Sequence, residues 1–452
     1  MGEDVRAYAE SQRATFERFL RELVEIPTVS ADPARKGDIQ RCAETAAELI
    51  RSLGGQASLW PTSGNPIVFG RFERGPDYPG LAFYNHLDVQ PADEPEWKSD
   101  PFRLRVEDGR YIGRGATDDK GPAVTCLLAA KYAYDRGLPL NFYFIWELEE
   151  EIGSPNFEEG LQAHRSEVRV RSVFVSDSIW ISRDRPSVDY GLRGLQGATL
   201  YLRTAEVDAH SGVTGGAAPN PVAELCRILM ACFDPVTGEV KIPHFYDDVV
   251  PPTEEELDDF VRSGFDVERF RKTYGFRWLR TEDPRELLKR IWAWPTFEVH
   301  GIAGGYQGPG IKTVIPHWAE AKVSMRLVPN QVPEKVFQLL ADYVRQLNPF
   351  VEVRPHGSLA PYVGEFKGPH ADALRRAVRR ALGTEPAFIR EGGSIGAVLT
   401  MKKLLDVPIL MMGLSLPEHG YHAPNEYFDW DQARRGIEVF NYYFEELVQL
   451  YR

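Results

Sequence analysis

The stretch Leu81-Ala-Phe-Tyr-Asn-His86-Leu-Asp88 (LAFYNHLD, residues 81–88) decides the fold. A short apolar run gives way at once to a histidine and an aspartate. A run of this length reads as a buried strand rather than a helix. Its neighbours repeat the pattern: residues 67–72, 141–146 (NFYFIW), 172–176 (SVFVS) and 407–412 also read as strands. Helical stretches separate them. One covers 5–26 and ends at Pro27, a second covers 40–53 and is stopped by Gly54-Gly55, and a third starts at Gly121-Pro122, where proline suits a helix start. A long helix is expected near 431–451. Alternation of this kind predicts an α/β fold, a mixed sheet covered by helices. In such sheets ligands bind beyond the carboxyl ends of the strands, where His86 and Asp88 fall.

Near residue 195 the character changes. Residues 198–203 and 321–328 alternate as half-buried strands do, and helical stretches lie near 220–232 and 333–347. The stretch 234–300 is rich in proline, aromatics and acids and reads as an irregular insertion. Its Trp278, Trp292 and Trp294 read as core or interface. After about residue 365 the helix–strand rhythm returns. The predicted organisation is a first domain (1–194), interrupted by a smaller α+β domain (195–362) and completed by 363–452.

Composition narrows the function. Lys and Arg number 53 against 66 Asp and Glu, a formal net charge of −13, which argues against nucleic acid or an anionic membrane as partner. No apolar run reaches the length of a membrane span, and the first twenty residues lack the layout of a secretory signal. The Met-Gly start lacks Ser or Thr at the sixth position, so myristoylation is not expected. Cys42, Cys126, Cys226 and Cys232 are too few for a disulfide scaffold and form no CxxC pair; they read as reduced, mostly buried thiols of a cytoplasmic protein.

Five segments carry candidate chemistry, two of them with a plainer reading beside it. His86-Leu-Asp88 follows a strand. Asp118-Asp119, in Gly113-Arg-Gly-Ala-Thr-Asp-Asp-Lys-Gly, is either a helix cap with a solvated neighbour or a carboxylate fixed in a turn to hold a metal. Glu147-Leu-Glu149-Glu150-Glu151-Ile-Gly153-Ser154 is either a solvated acidic face or a pair of carboxylates, one for a metal and one for a proton. Asp177 ends the strand at 172–176. His419-Gly-Tyr-His422-Ala-Pro-Asn425-Glu426 follows the strand at 407–412. Together these supply the oxygen and nitrogen donors that zinc, manganese or cobalt accept, with no thiolate.

At these residues the chain resembles the carnosinase-like dipeptidases, within the wider superfamily of aminoacylase, acetylornithine deacetylase and succinyl-diaminopimelate desuccinylase. The matching pieces are NHLDVQP, GRGATDDKGP, EEEIGS, SDSIW with YGLRG, DAHSGVTGG, GIKTVIP, SMRLVPN, REGGSIGA and HAPNE, spread in order over residues 85–426.

The resemblance implies a zinc-exopeptidase-like catalytic domain with an inserted lid and dimerisation domain. It implies two divalent metal ions per subunit, zinc before manganese or cobalt. His86 and Asp177 bind one ion, Glu151 and His422 the other, and Asp118 bridges them through a turn whose bond to Asp119 is cis. Asp88 stands behind His86 and fixes its tautomer. Glu150 is the general base, Glu149 being an extra surface acid; a shift of one place would give Glu149 that role instead. His210 reaches the active site of the partner in a homodimer and stabilises the oxyanion, although taken alone it reads as a loop histidine. Arg326 clamps the substrate carboxylate, or is a strand-end surface cation. Thr313, His356, Gly393 and Ser394 line the substrate site, with an apparent one-residue insertion between His356 and Ser394. The implied activity is hydrolysis of dipeptides or short peptides with a free carboxylate. The alternatives are an N-acyl-amino-acid deacylase or carboxypeptidase of the same superfamily, and a catalytically silent scaffold.

Overall fold

The Gly80–His86 strand lies parallel between Asn141–Glu147 and Ser172–Val175, and all three are buried along their whole length. These relationships come from a computed structural model that describes residues 2–364 and 366–452. Met1, where the lipidation reading begins, and residue 365, where the rhythm was expected to return, lie outside the described residues. Ile409–Met411 extends the parallel set beside Ser172–Val175. Ile67–Phe72 and Gln56–Trp60 add an antiparallel edge, and Ser187–Leu192, Tyr362–Val363 and Ala387–Glu391 complete a nine-stranded mixed sheet.

Burial on both faces is why these strands read as unbroken apolar runs. On one face, Phe83, Phe144 and Phe174 meet Phe440 and Phe444 of the Trp430–Leu450 helix and Leu127 of the Gly121–Asp135 helix. On the other, Tyr84, Ile145 and Val175 meet Phe157, Leu161, Val398 and Met401 of two further helices. Each large apolar side chain so enclosed contributes roughly 1.5–3 kcal/mol. The close approach depends on Gly436: a Cβ there would stand 2.5 Å from a Leu414 methyl and 2.8 Å from that of Thr125.

A second, four-stranded antiparallel sheet runs in the order Thr296–Gly304, Trp318–Leu327, Gly194–Arg203, Glu352–Leu359. Here the apolar residues alternate. Ala198, Leu200 and Leu202 face Leu225, Leu229, Val336 and Leu340 of the Pro221–Cys232 and Pro333–Leu347 helices. A three-stranded sheet of Arg105–Glu107, Arg110–Ile112 and Tyr427–Asp429 ties the C-terminal segment to the loop before Asp118.

Two sequence expectations are corrected. The helix expected over 5–26 is two helices, Gly2–Ser11 and Arg13–Val24, interrupted at Gln12. The Ser11 hydroxyl donates to the Tyr8 carbonyl there, a local bond that competes with helix continuation. The stretch 234–300 is not irregular: it holds the helices Glu254–Arg262, Val267–Thr273 and Pro284–Leu288 and the strand Thr296–Gly304. Thr253 and Glu256 form a capping box at the first of these helices. Leu257, Phe260, Leu288 and Trp292 pack on Tyr190 and Ile389 of the large sheet. Trp292 is thus core, whereas Trp278 is 76% exposed. Cys42, Cys126 and Cys232 are buried and Cys226 is exposed, all four as free thiols. No helix among the described residues is long and apolar enough to cross a membrane.

Candidate active site

The parallel strands end at one edge of the large sheet, and the chemistry gathers there. His86 closes its strand fully buried. Its Nδ1 lies 3.1 Å from the Asp88 carbonyl oxygen and 3.4 Å from Oδ1 of the same residue. That turns Nε2 toward Asp118 Oδ1, at 2.9 Å, and Asp177 Oδ2, at 3.8 Å. The other Asp118 oxygen stands 3.0 Å from His422 Nε2, which is 3.3 Å from Glu151 Oε2. Two donor groups result: His86, Asp118 and Asp177; and Asp118, Glu151 and His422. Within each, the donor atoms lie within 4.8 Å of one another. Asp118 belongs to both.

Local structure explains the placement. Gly115 precedes Asp118 at φ 86°, and a Cβ there would stand 2.6 Å from a Val89 methyl. The Asp118–Asp119 peptide bond is cis. Backbone N–H groups of Gly115, Thr117 and Asp118 all donate to the Glu426 carboxylate, at 3.0–3.1 Å. Glu426 is itself paired with Arg114 at 2.8 Å. Asp119 accepts from the Asn85 side chain at 2.7 Å. Asp88 does more than face His86: its two carboxylate oxygens accept the backbone N–H groups of Glu150 and Glu151, at 3.1 and 3.0 Å. Asp177 accepts from the Tyr421 hydroxyl at 3.3 Å.

The reading of Glu149 as a surface acid is corrected. It is 6% exposed, and it accepts the N–H of Asn65 at 2.8 Å and the amide of Asn156 at 2.9 Å. It pins the turn instead of facing the pocket, whereas Glu150 and Glu151 both line the pocket.

Electrostatics reflect a surplus of carboxylates. Burial first, then Asp177, Glu151 and Asp88, hold the Glu150 carboxyl well above its ordinary range, against the pull of His86. Asp177 is pushed up to about 7 by burial and by Asp118 and Glu151. Burial would lower both imidazoles, but carboxylates outweigh it. His86 is raised by Asp177, Asp118 and Asp88, and His422 is raised to about 10 by Asp118 and Glu151. Asp118, between two imidazoles, is lowered despite its burial. Oxygen and nitrogen donors of this kind, short of positive charge and sharing a central carboxylate, fit a pair of divalent cations.

The pocket in front of these groups holds about 620 Å³, and Arg326, Gly393 and Ser394 also line it. Arg326 donates to the Ser394 hydroxyl at 3.1 Å. The other residues singled out in the sequence fall elsewhere. His356 bonds to Thr199 and does not line the pocket; the chain bulges between His356 and Ser358, and Gly357 and Ser358 line it instead. His210 and Thr313 do not line it either. Both are exposed: His210 ends the Ala209–His210 strand and Thr313 precedes its partner Val314–Ile315, with the Ser211 N–H donating to the Thr313 carbonyl at 3.0 Å and the Gly212 N–H to the His210 ring.

Glu426 and the second task of Asp88 were missed in the sequence. Glu426 closes the HAPNE motif, but its partners lie about 310 residues away. Only the presence of an acid in an otherwise small, polar turn pointed to it.

A sheet edge that offers one bridging carboxylate to two donor groups defines a hydrolase working through paired metal ions. The chain belongs to the peptidase family M20/M25/M40, whose profile matches residues 82–446. It is 31% identical to human Beta-Ala-His dipeptidase, over 99% of this chain and 93% of that protein. It is 33% identical to the Cys-Gly metallodipeptidase dug1 of Schizosaccharomyces pombe, over 94% of each chain. Among solved structures, the M20 family metallo-carboxypeptidase Sso-CP2 from Sulfolobus solfataricus superposes with a TM-score of 0.87 at 32% identity, covering 95% of this chain and 98% of that one.

Proposed function

We propose that the protein is a zinc-dependent dipeptidase. The observation that carries this reading is the pair of donor groups sharing Asp118 at the wall of a pocket that also holds Glu150 and Arg326. His86, Asp118 and Asp177 would hold one divalent ion, and Asp118, Glu151 and His422 the other. Bound there, the ions supply Lewis acidity toward the scissile carbonyl and lower the pKa of water. Manganese or cobalt suits the same donors.

Glu150 is the proton carrier: its carboxylate takes a proton from the attacking water and passes it to the leaving amine as the C–N bond breaks. Asp88 serves two neighbours, holding the His86 ring and the backbone that presents Glu150 and Glu151. Arg326, steadied by Ser394, offers a guanidinium to the free carboxylate of a small peptide, beside Gly393. His210 and Thr313 are assigned to the pocket of a second copy in a homodimer, where His210 donates to the developing oxyanion. The exposed Val207, Val213 and Ile311 near them, at 70%, 81% and 94% exposure, suit such a contact. His356 is assigned to the pocket rim through the bulge that follows it. The presence of two separate sheets supports a division into residues 1–194 with 363–452, and 195–362, although Gly194 belongs to a strand of the second sheet and Tyr362 to one of the first.

Glu150→Gln is expected to lower kcat for a dipeptide by about 10²–10⁴-fold while leaving two zinc ions per chain. Mixing it with an otherwise inactive His210→Ala chain is expected to restore part of the activity. Near-normal turnover by Glu150→Gln would remove the assigned base, and subunit exchange without recovery would remove the shared site. The likeness to a metallo-carboxypeptidase supports a second reading, action on longer chains. Turnover confined to longer peptides, with none on dipeptides, would establish it.

A further inference from the structure

Beside the catalytic pocket lies a second cavity of about 430 Å³, between the large sheet and the helices of the 254–293 segment. The two share Glu391 and Gly393 in their walls, so the cavity adjoins the catalytic pocket. On its sheet side stands Asp189, in the Ser187–Leu192 strand. Asp189 is 2% exposed, and no cationic side chain pairs with its carboxylate among the described residues. The Ser178 hydroxyl is the polar group beside it. Opposite stand Phe265, Phe270 and Tyr274, an aromatic wall contributed by the insertion.

A buried carboxylate is strongly unfavourable as an anion without a counter-charge, and a cation entering the cavity would supply one. Two arginines line the same cavity, but both are engaged elsewhere. Arg193 donates to the carbonyls of Gly392, Arg290 and Trp294, and Arg269 pairs with Glu418 at 3.0 Å. No ion pair to Asp189 forms among the described residues. Aromatic walls around a buried acid suit an organic cation, by ion pairing and by attraction to ring faces. Arg326 lines the catalytic pocket but not this cavity, which leaves the cavity to the end of the substrate away from its carboxylate.

We propose that this cavity receives the side chain of the substrate's N-terminal residue, and that Asp189 selects a cationic one, lysine or arginine in type. The inference deepens the dipeptidase reading and rests on it. The first measurement is kcat/KM for Lys-Gly against Met-Gly, with Gly-Lys against Gly-Met as the control for the other end. The zinc-loaded wild-type enzyme is expected to favour Lys-Gly by about ten-fold or more, the worth of one desolvated charge contact. Asp189→Asn is expected to bring that ratio near one. So is Thr273→Lys, which supplies a resident cation from the exposed opposite wall and does not disturb the core. A wild-type ratio near one, a ratio unmoved by both variants, or a preference confined to Gly-Lys would overturn the assignment. If no dipeptide is cleaved at all, the dipeptidase reading fails by itself and calorimetric titration with agmatine decides the pocket. Binding weakened about ten-fold by Asp189→Asn would uphold it, and binding indifferent to that change would overturn it.

Discussion

Glu426 shows how one carboxylate distant along the chain fixes the residue at the centre of the site. It is fully buried, accepts three backbone N–H groups around Asp118 and pairs with Arg114. A glutamine keeps the shape but removes the charge, leaving Arg114 buried and under-compensated. Breaking a buried pair in this way costs about 3–5 kcal/mol. Glu426→Gln is therefore expected to lower the unfolding free energy by about 3 kcal/mol and to weaken zinc binding, measured by urea unfolding and by zinc titration. Wild-type values in both would show that Glu426 does not position Asp118. At this scale the sequence was legible where a side chain follows a strand directly, as His86 and Asp177 do. It was silent where the partner is a backbone amide distant in the chain, as for Glu426. For Glu149 it misled, because adjacent acids differ only in which way the turn aims them.

Among the elements, the Trp430–Leu450 helix closes the core and its cap is wired to the site's flank. Asp429 accepts the N–H of Gln432 at 2.9 Å, lies 3.1 Å from His419 and pairs with Arg183. Burial would raise its carboxyl, but His419 and Arg183 outweigh it and hold it below the usual carboxylate range. The sign follows from linkage: the unfolded chain takes up the proton first, so the contribution is intact above the unfolded value of 3.8 and is lost as pH falls below it. Asp429→Ala is expected to cost about 1–2 kcal/mol near pH 6, as loss of a helix cap does. The difference from wild type should shrink below pH 3.8 in denaturant melts, and a gap that persists at low pH would contradict the assignment. The strands of the large sheet were legible because burial on both faces leaves unbroken apolar runs. The helices of 254–293 were not. They are short, and their anchors Leu257, Phe260 and Leu288 are diluted by acids and prolines, although the capping box at Thr253 and Glu256 was a local signal within reach. Strands of two or three residues, such as Val314–Ile315 and Tyr427–Asp429, carry no periodicity at all and exist through their partners.

Over the whole molecule, a doubly covered sheet supplies rigidity and a second sheet brings Arg326 to the pocket mouth. A formal charge of −13 gives the chain a field that favours cations, in keeping with a site built from carboxylates. The central claim is that this site holds two metal ions through one shared aspartate. Anomalous diffraction at the zinc edge, from crystals grown with zinc, tests it most directly. Two peaks per chain are expected, one among His86, Asp118 and Asp177 and the other among Asp118, Glu151 and His422. A single peak, or two peaks with Asp118 touching only one, would contradict the account.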